Sequence, residues 1–77
     1  MQNMTTYNVI FSSPLPGKVI KVLAHEGDLV EQGQDVFIVE SMKILHTLHA
    51  GKRGYMCNVC VKEGDLVEAH DQLARMK

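Results

Sequence analysis

The primary amine of Lys43 is the group in this sequence whose setting most suggests covalent chemistry. It lies in the segment Glu40-Ser41-Met42-Lys43-Ile44, where a strongly hydrated ammonium stands between two apolar neighbours inside the longest apolar run of the chain. A deprotonated amine is a nucleophile and forms an amide when it attacks an activated carboxylate. Taken alone, a lysine is more often an ordinary solvated residue, so the role of Lys43 depends on the elements that position it.

A second group of residues contains the side chains that zinc prefers. His46 and His49 form an H-x-x-H pair, and Cys57 and Cys60 form a C-x-x-C pair. Residues three apart in a strand point to opposite faces of the sheet, so neither pair could chelate one ion from a regular strand. We expect both cysteines to be buried as small apolar side chains, and we expect no metal site.

Nothing else in the sequence suggests a catalytic centre. None of the four histidines has a nearby Ser and Asp in an arrangement typical of a triad. The six glycines are scattered at predicted turns and do not form a phosphate-binding loop. We expect no catalytic residue in this chain.

Length and composition limit the remaining classes. With 77 residues, of which 45% are hydrophobic, the chain can form one domain with a modest core. Its net charge of −1 gives no basic surface for nucleic acid or an anionic membrane. No segment has the length of a membrane span or the pattern of a signal peptide. We expect a cytoplasmic monomer with a single domain over residues 1–77, in which residues 1–6 form a flexible tail.

The sequence contains two copies of one motif. HEGDLVEQGQ at residues 25–34 returns as KEGDLVEAHD at residues 62–71, 37 positions later. Extending this register divides the chain into two units, residues 7–40 and 44–77. Lys43 is the last of the three residues that join the two units.

Each unit has the pattern of short strands. The segments VIKVL, DVFIVE and NVCV are rich in β-branched residues and bounded by Gly, Pro or Asp, and the Glu-Gly-Asp of each unit is typical of a tight turn. The predicted strands cover residues 7–12, 18–23, 28–30 and 36–40 in the first unit, and 44–49, 55–60, 65–67 and 73–77 in the second. Two half-sheets with one apolar face each would bury those faces against each other in a sandwich or flattened barrel, related by a pseudo-twofold axis. Residues 41–43 then form an exposed hairpin turn at the end of the molecule farthest from both termini.

Three segments resemble those of biotinyl domains, the biotin carboxyl carriers. Residues 40–44 are similar to the Glu-(Ala/Ser)-Met-Lys-Met motif of that family. Residues 13–17, Ser-Pro-Leu-Pro-Gly, resemble its Ala-Pro-Met-Pro-Gly segment, and residues 26–33 resemble its Glu-Gly-Asp-x-Val-x-x-Gly turn. The resemblance extends from Phe11 to Met76. It departs from the family pattern at three positions. Ile44 replaces Met, Gly51 replaces the Pro of an Ala-Pro-x-x-Gly element that Ala50 and Gly54 otherwise resemble, and His70 stands where Gly would match Gly33.

The resemblance implies an all-β fold, a flattened barrel of two four-stranded antiparallel sheets. It implies that a biotin protein ligase attaches biotin to Lys43 as an amide and recognises Glu40, Ser41, Met42 and Ile44. The biotin would then carry carboxylate between a biotin carboxylase and a carboxyltransferase. The chain would be a carrier and not an enzyme.

Two alternatives stay open. Lipoyl domains share the fold and also carry a modified hairpin lysine, but their motif is typically Glu-Thr-Asp-Lys-Ala. The lipoyl motif has Asp at the position of Met42. A ligase pocket that accepts an apolar side chain there would desolvate the Asp carboxylate, so Met42 favours biotin over lipoate. The first alternative is a carrier of lipoate, or of both cofactors. The second is an unmodified structural or interaction module that has the same fold.

Overall fold

The computed structural model describes residues 9–77. These residues form eight β-strands and no helix. None of these residues therefore belongs to a helix that could cross a membrane. The predicted tail, residues 1–6, and the first residues of the predicted strand 7–12 lie outside the described residues. The strands are β1 Val9–Ser12, β2 Gly17–Val22, β3 Leu29–Val30, β4 Asp35–Ser41, β5 Ile44–His49, β6 Gly54–Val59, β7 Leu66–Val67 and β8 Gln72–Met76. Over the described residues, the predicted strands agree with these bounds to within about one residue, as expected for boundaries read from sequence.

The strands form two four-stranded antiparallel sheets. The first has the order β1-β8-β6-β3 and the second the order β5-β4-β2-β7, so each sheet contains two strands from each unit. Exchanging β1–β4 with β5–β8 converts one order into the other, which confirms the predicted pseudo-twofold relation. The sharing of strands was not predicted, because a repeat indicates which strands are equivalent but not which strands pair.

The pairing register repeats as closely as the strand order. Val9 pairs with Met76 in the first sheet, and His46 pairs with Val39 in the second. His46 is the counterpart of Val9 in the second unit, and Val39 is the counterpart of Met76 in the first. The register also shifts at equivalent places in β2 and β6, next to Val19 and next to Met56. Sequence similarity between the units therefore reflects similarity of backbone geometry.

The core lies between the two sheets. The ring of Phe11 in the first sheet packs edge-on against Phe37 in the second, with centroids 5.2 Å apart and an interplanar angle of 75°. Both units contribute to the fully buried side chains, which include Val19, Val30, Val36, Phe37, Val39, Met56, Leu73 and Met76. The apolar face of each unit is covered only by the other unit, so the two units fold together.

The β4–β5 hairpin and the chain ends lie at opposite ends of the sheets. β5 runs away from the hairpin, and a four-residue connection, residues 50–53, leads to β6. At the start of β6, Tyr55 and Lys77 exchange backbone hydrogen bonds of 2.7 and 3.0 Å. The first described residue, Val9, pairs with Met76 at the same end. The hairpin is thus far from both ends of the described chain, as the repeat predicts.

Candidate functional site

A two-residue turn carries Lys43. Ser41 and Ile44 form the last pair of the β4–β5 ladder, and Met42 and Lys43 connect them. The predicted turn of residues 41–43 is therefore one residue too long, because Ser41 continues the pairing of β4. Met42 has a φ of 53° and Lys43 a φ of 66°. Positive φ at both central positions is the geometry of the type I′ turn, whose twist matches that of the two strands it joins.

Met and Lys are unfavourable residue types for a turn of this conformation. Type I′ turns favour Asn-Gly, because bulky side chains lose about 1–2 kcal/mol in the left-handed region. Among residues 9–77, the non-glycine residues with positive φ are Met42, Lys43 and His70. Two of them are therefore adjacent, at the tip of the hairpin. Strain of this kind persists where the surrounding structure imposes it, and it is concentrated at functional sites.

The side chains of the turn extend into solvent. Met42 is 91% exposed and therefore does not pack against the rim of the sheets. Lys43 is exposed as predicted, and Ile44 is 59% exposed. Two large apolar side chains thus flank the amine without protein cover, which is typical of a surface that another protein contacts. Glu40 and Ser41 are half-buried at the base of the hairpin.

A row of side chains crosses the outer face of the second sheet just below the turn. Glu40 in β4 pairs with Leu45 in β5 on one side and with Lys18 in β2 on the other. Lys18 pairs in turn with Leu66 in β7, which is 82% exposed. The row consequently has two side chains of opposite charge at its centre and an exposed leucine at each end.

A shallow groove of about 410 Å³ lies at the surface beside the hairpin, where the start of β2 and β7 meet it. Its main lining side chains are Pro16, Lys18, Glu40, Met42, Leu66 and Glu68. The sequence indicated Glu40 and Met42 but not Leu66 or Glu68, because these come from the turn region of the second unit. Only the pairing of β7 with β2 brings that turn beside the hairpin, and nothing in the sequence indicated this pairing.

The histidine and cysteine pairs do not meet. Over residues 9–77, no three His, Cys, Asp or Glu side chains are grouped closely enough to hold a metal ion. The prediction that both cysteines are buried is wrong, since Cys57 is half-buried and Cys60 is exposed. The physical reason is the bulge in β6, where the register shifts between Met56 and Asn58: after it Val59 packs against the core, and the next residue, Cys60, faces outward. Both thiols are free.

The match to a known protein family covers the same residues as the eight strands. The family model described as biotin-requiring enzyme matches residues 9–76. The alpha chain of mitochondrial propionyl-CoA carboxylase from Sus scrofa is 40% identical over 68 residues, which is 88% of this chain and 9% of that protein. The biotin carboxyl carrier protein of Streptococcus mutans is 38% identical over 61 residues, which is 79% of this chain and 47% of that protein.

A similar domain is present in a solved structure, that of the urea carboxylase of Kluyveromyces lactis. It matches 99% of this chain with a TM-score of 0.86 and 33% sequence identity, and the matched part is 7% of the carboxylase. The chain thus spans about a tenth or less of these two carboxylases and about half of the carrier protein. We conclude that the chain belongs to the family of biotin-requiring enzymes, in which it is a non-catalytic biotinyl carrier domain.

Proposed function

We propose that Lys43 is the residue to which a biotin protein ligase attaches biotin. The observation that carries this proposal is the position of the amine, at the tip of a strained two-residue turn that projects from a rigid pair of sheets. Open solvent around the turn leaves room for a long flexible group. The exposed Met42 and Ile44 give a ligase apolar contacts on both sides of the amine.

The attachment step is an acyl transfer. The ammonium of Lys43 first loses its proton, and the neutral nitrogen attacks the acyl carbon of biotinyl adenylate. An amide bond forms, the bond between the acyl carbon and the phosphate oxygen breaks, AMP leaves with the electron pair, and the nitrogen releases a second proton to solvent. Glu40, Ser41, Met42 and Ile44 are the proposed contacts that hold the domain against the ligase. The product has no charge at Lys43, whose side chain becomes a tether.

We further propose a biotin carboxylase and a carboxyltransferase as the partners of the modified domain. Bound biotin supplies a nitrogen that accepts carboxylate at the first enzyme and gives it up at the second. The similarity to carboxylases of two kinds supports this pairing. The domain's own contribution is physical: its sheets hold the tether at one end of the molecule, which raises the local concentration of the carried group at each partner site.

Intact-mass spectrometry after incubation with biotin protein ligase, biotin and ATP tests the proposal. The wild-type chain should gain the mass of one biotin less one water, and Lys43→Arg should gain nothing while it keeps the wild-type unfolding midpoint. Lys52→Arg, at the opposite end of the sheets, is the matched control and should be labelled as the wild type is. Labelling of Lys43→Arg would refute the assignment, as would a wild-type chain that gains no mass.

Lipoate is the second candidate cofactor, and the same turn distinguishes the two. Because Met42 is 91% exposed, a ligase that grips the hairpin meets this side chain directly. We expect a lipoate ligase to leave the wild-type chain unmodified, and we expect Met42→Asp to lower the rate of biotin attachment about tenfold or more through loss of the apolar contact. Equal labelling by both ligases would instead support a carrier of both cofactors.

A further inference from the structure

We propose that Gly17 is a positioning residue for the acylation of Lys43. It contacts neither the amine nor the turn, and it acts by letting the start of β2 approach the end of β4 at the base of the hairpin. The inference rests on the proposed role of Lys43 and adds a residue that sets where the amine stands. Three observations carry it, namely the packing at Gly17, the rigidity of the segment before it, and the contrast with the equivalent glycine of the second unit.

The packing around Gly17 leaves no room for a side chain. A Cβ at this position would overlap the carbonyl oxygen of Glu40 and lie 2.8 Å from Cγ1 of Val39. Gly17 is not among the residues with positive φ, so the glycine is required for space and not for its conformational freedom. Val39 is completely buried and the Glu40 oxygen is backbone, so neither can move without moving β4.

The strand that would move leads directly into the turn. Glu40 is followed by Ser41, the last residue of β4, and then by the turn residues Met42 and Lys43. A displacement of the Glu40 carbonyl would therefore change the direction in which the whole hairpin leaves the sheet. Misplacement of a reacting atom by about 1 Å can lower a rate about a hundredfold, because the ligase holds its adenylate at a fixed distance from the expected amine.

The segment before Gly17 is held so that β2 cannot retreat from β4. The hydroxyl of Ser13 is buried and donates a hydrogen bond of 2.6 Å to the carbonyl oxygen of Leu15. Backbone hydrogen bonds join Ser13 to Asp71 at 2.9 Å and to His70 at 2.7 Å. Prolines at positions 14 and 16 fix their own φ angles. A clash at Gly17 would therefore be transmitted to the hairpin and not absorbed by the loop.

The equivalent segment of the second unit has the same two backbone hydrogen bonds, from Ala50 to Gln34 at 2.9 Å and from Gly33 to Ala50 at 2.8 Å, but lacks the other restraints. Residues 50–53 are Ala-Gly-Lys-Arg, with no hydroxyl and no proline, and they precede Gly54, the counterpart of Gly17. A Cβ at Gly54 would lie 2.9 Å from the carbonyl oxygen of Lys77. The same kind of close strand contact thus exists at both ends of the molecule. It is tighter and more rigidly supported at the end that carries Lys43.

The pair Gly17→Ala and Gly54→Ala separates positioning from general stability. Each variant is incubated with biotin protein ligase, biotin and ATP over a range of concentrations of folded domain, and its unfolding midpoint is measured. We expect Gly17→Ala to lower kcat at least about tenfold with KM changed less than about threefold, since the hairpin side chains that the ligase grips are all present. Gly54→Ala should keep kcat within about twofold of the wild type, even if its unfolding midpoint falls.

A wild-type kcat for folded Gly17→Ala would overturn the inference, as would an equal loss in both variants. If Gly17→Ala does not fold, the double variant Ser13→Ala/Pro16→Ala replaces it, because it loosens the restraint without adding atoms. We expect this variant to lower kcat about threefold or more, and an unchanged kcat would overturn the inference. Failure of the wild-type chain to be labelled on Lys43 would refute the proposed function instead, so the two failures are distinguishable.

Discussion

At the scale of single residues, the conformation of the hairpin turn is the most informative property of the molecule. Met42 and Lys43 both adopt positive φ, where Asn and Gly would be less strained. A lysine at this position costs stability, and an exposed methionine beside it adds unprotected apolar surface. Neither feature helps the chain to fold. Both are consistent with the proposed ligase, which would have to bind the turn and reach its amine.

Replacing the turn residues should therefore raise stability and abolish modification. We expect the double variant Met42→Asn/Lys43→Gly to increase the free energy of unfolding by about 1–3 kcal/mol, because it relieves two left-handed residues. Chemical denaturation measures the first effect and intact mass after treatment with ligase measures the second. An unchanged or lower stability would contradict the strain that we infer.

His70 provides the matched control for strain relief away from the hairpin. It has a φ of 74°, and its counterpart Gly33 has a φ of 82°. The backbone N–H of each residue donates to an equivalent carbonyl, that of Ser13 for His70 and that of Ala50 for Gly33. We expect His70→Gly to raise the free energy of unfolding by about 0.5–1 kcal/mol, the strain relief being partly offset by the flexibility of Gly in the unfolded chain. Biotin attachment should stay at the wild-type rate.

At the scale of elements, the repeated Glu-Gly-Asp turns connect the two units. The N–H of Val22 donates to Glu63 Oε2 at 3.2 Å, and the N–H of Val59 donates to Glu26 Oε2 at 3.4 Å. Each glutamate thus caps a strand of the other unit, since Val22 ends β2 and Val59 ends β6. The repeat therefore preserves contacts between the units as well as turns within them.

The aspartate of the second turn should make stability depend on pH. Asp65 Oδ2 accepts a hydrogen bond of 2.9 Å from the backbone N–H of Lys62, and this bond holds the pKa of Asp65 below its usual value of 3.8. A lowered folded-state pKa contributes stability above the unfolded-state pKa, and that contribution is lost as the pH falls through the folded-state value. We expect the stability difference between wild type and Asp65→Asn to shrink as the pH is lowered from 7 to about 3.

Lys62→Ala separates the backbone donor from the side chain in this prediction. The ammonium of Lys62 lies 3.5 Å from Asp65 Oδ1 but is 86% exposed, so water and salt screen it. The backbone N–H is unchanged in Lys62→Ala, which should keep most of the acid sensitivity. Parallel stability curves for wild type and Asp65→Asn between neutral and acidic pH would contradict the assignment.

At the scale of the whole molecule, the shared core makes the domain a rigid base for the hairpin. Each sheet takes strands from both units, and the buried side chains of both pack into one layer. Movement of the amine relative to the domain is then limited to the side chain of Lys43 and the turn. The proposed function needs this separation, because partner enzymes could then bind the body of the domain while the tether moves.

Leu73 and Leu66 test where the stability of the domain resides. Leu73 is completely buried in β8, whereas Leu66 is 82% exposed in β7. We expect Leu73→Ala to lower the free energy of unfolding by about 2–5 kcal/mol, and Leu66→Ala to change it by less than about 0.5 kcal/mol. Denaturant titration of both variants checks the difference. Similar losses in the two would show that the sandwich is not the source of stability.

The sequence allowed the positions of the strands and of the hairpin turn to be predicted, because the spacing of Gly27 and Gly64 and the apolar segments repeats along the chain. It did not indicate that β7 lies beside β2, since strand pairing is a property of the folded chain. Leu66 was missed as a neighbour of the hairpin for that reason. The exposure of Cys60 was missed because a bulge after Met56 changes which residues of β6 face the core. The repeated pattern therefore predicted the strands and turns, but it did not predict the bulge that interrupts the regular alternation in β6.

Locating the modification within the chain tests the central claim most directly. The wild-type domain is treated with biotin protein ligase, biotin and ATP, digested with a protease that does not require lysine, and sequenced by tandem mass spectrometry. We expect the added mass on Lys43 alone, because its amine is the one that the β4–β5 turn presents. Biotin on Lys18, Lys21 or Lys52, or no biotin on any peptide, would contradict the account.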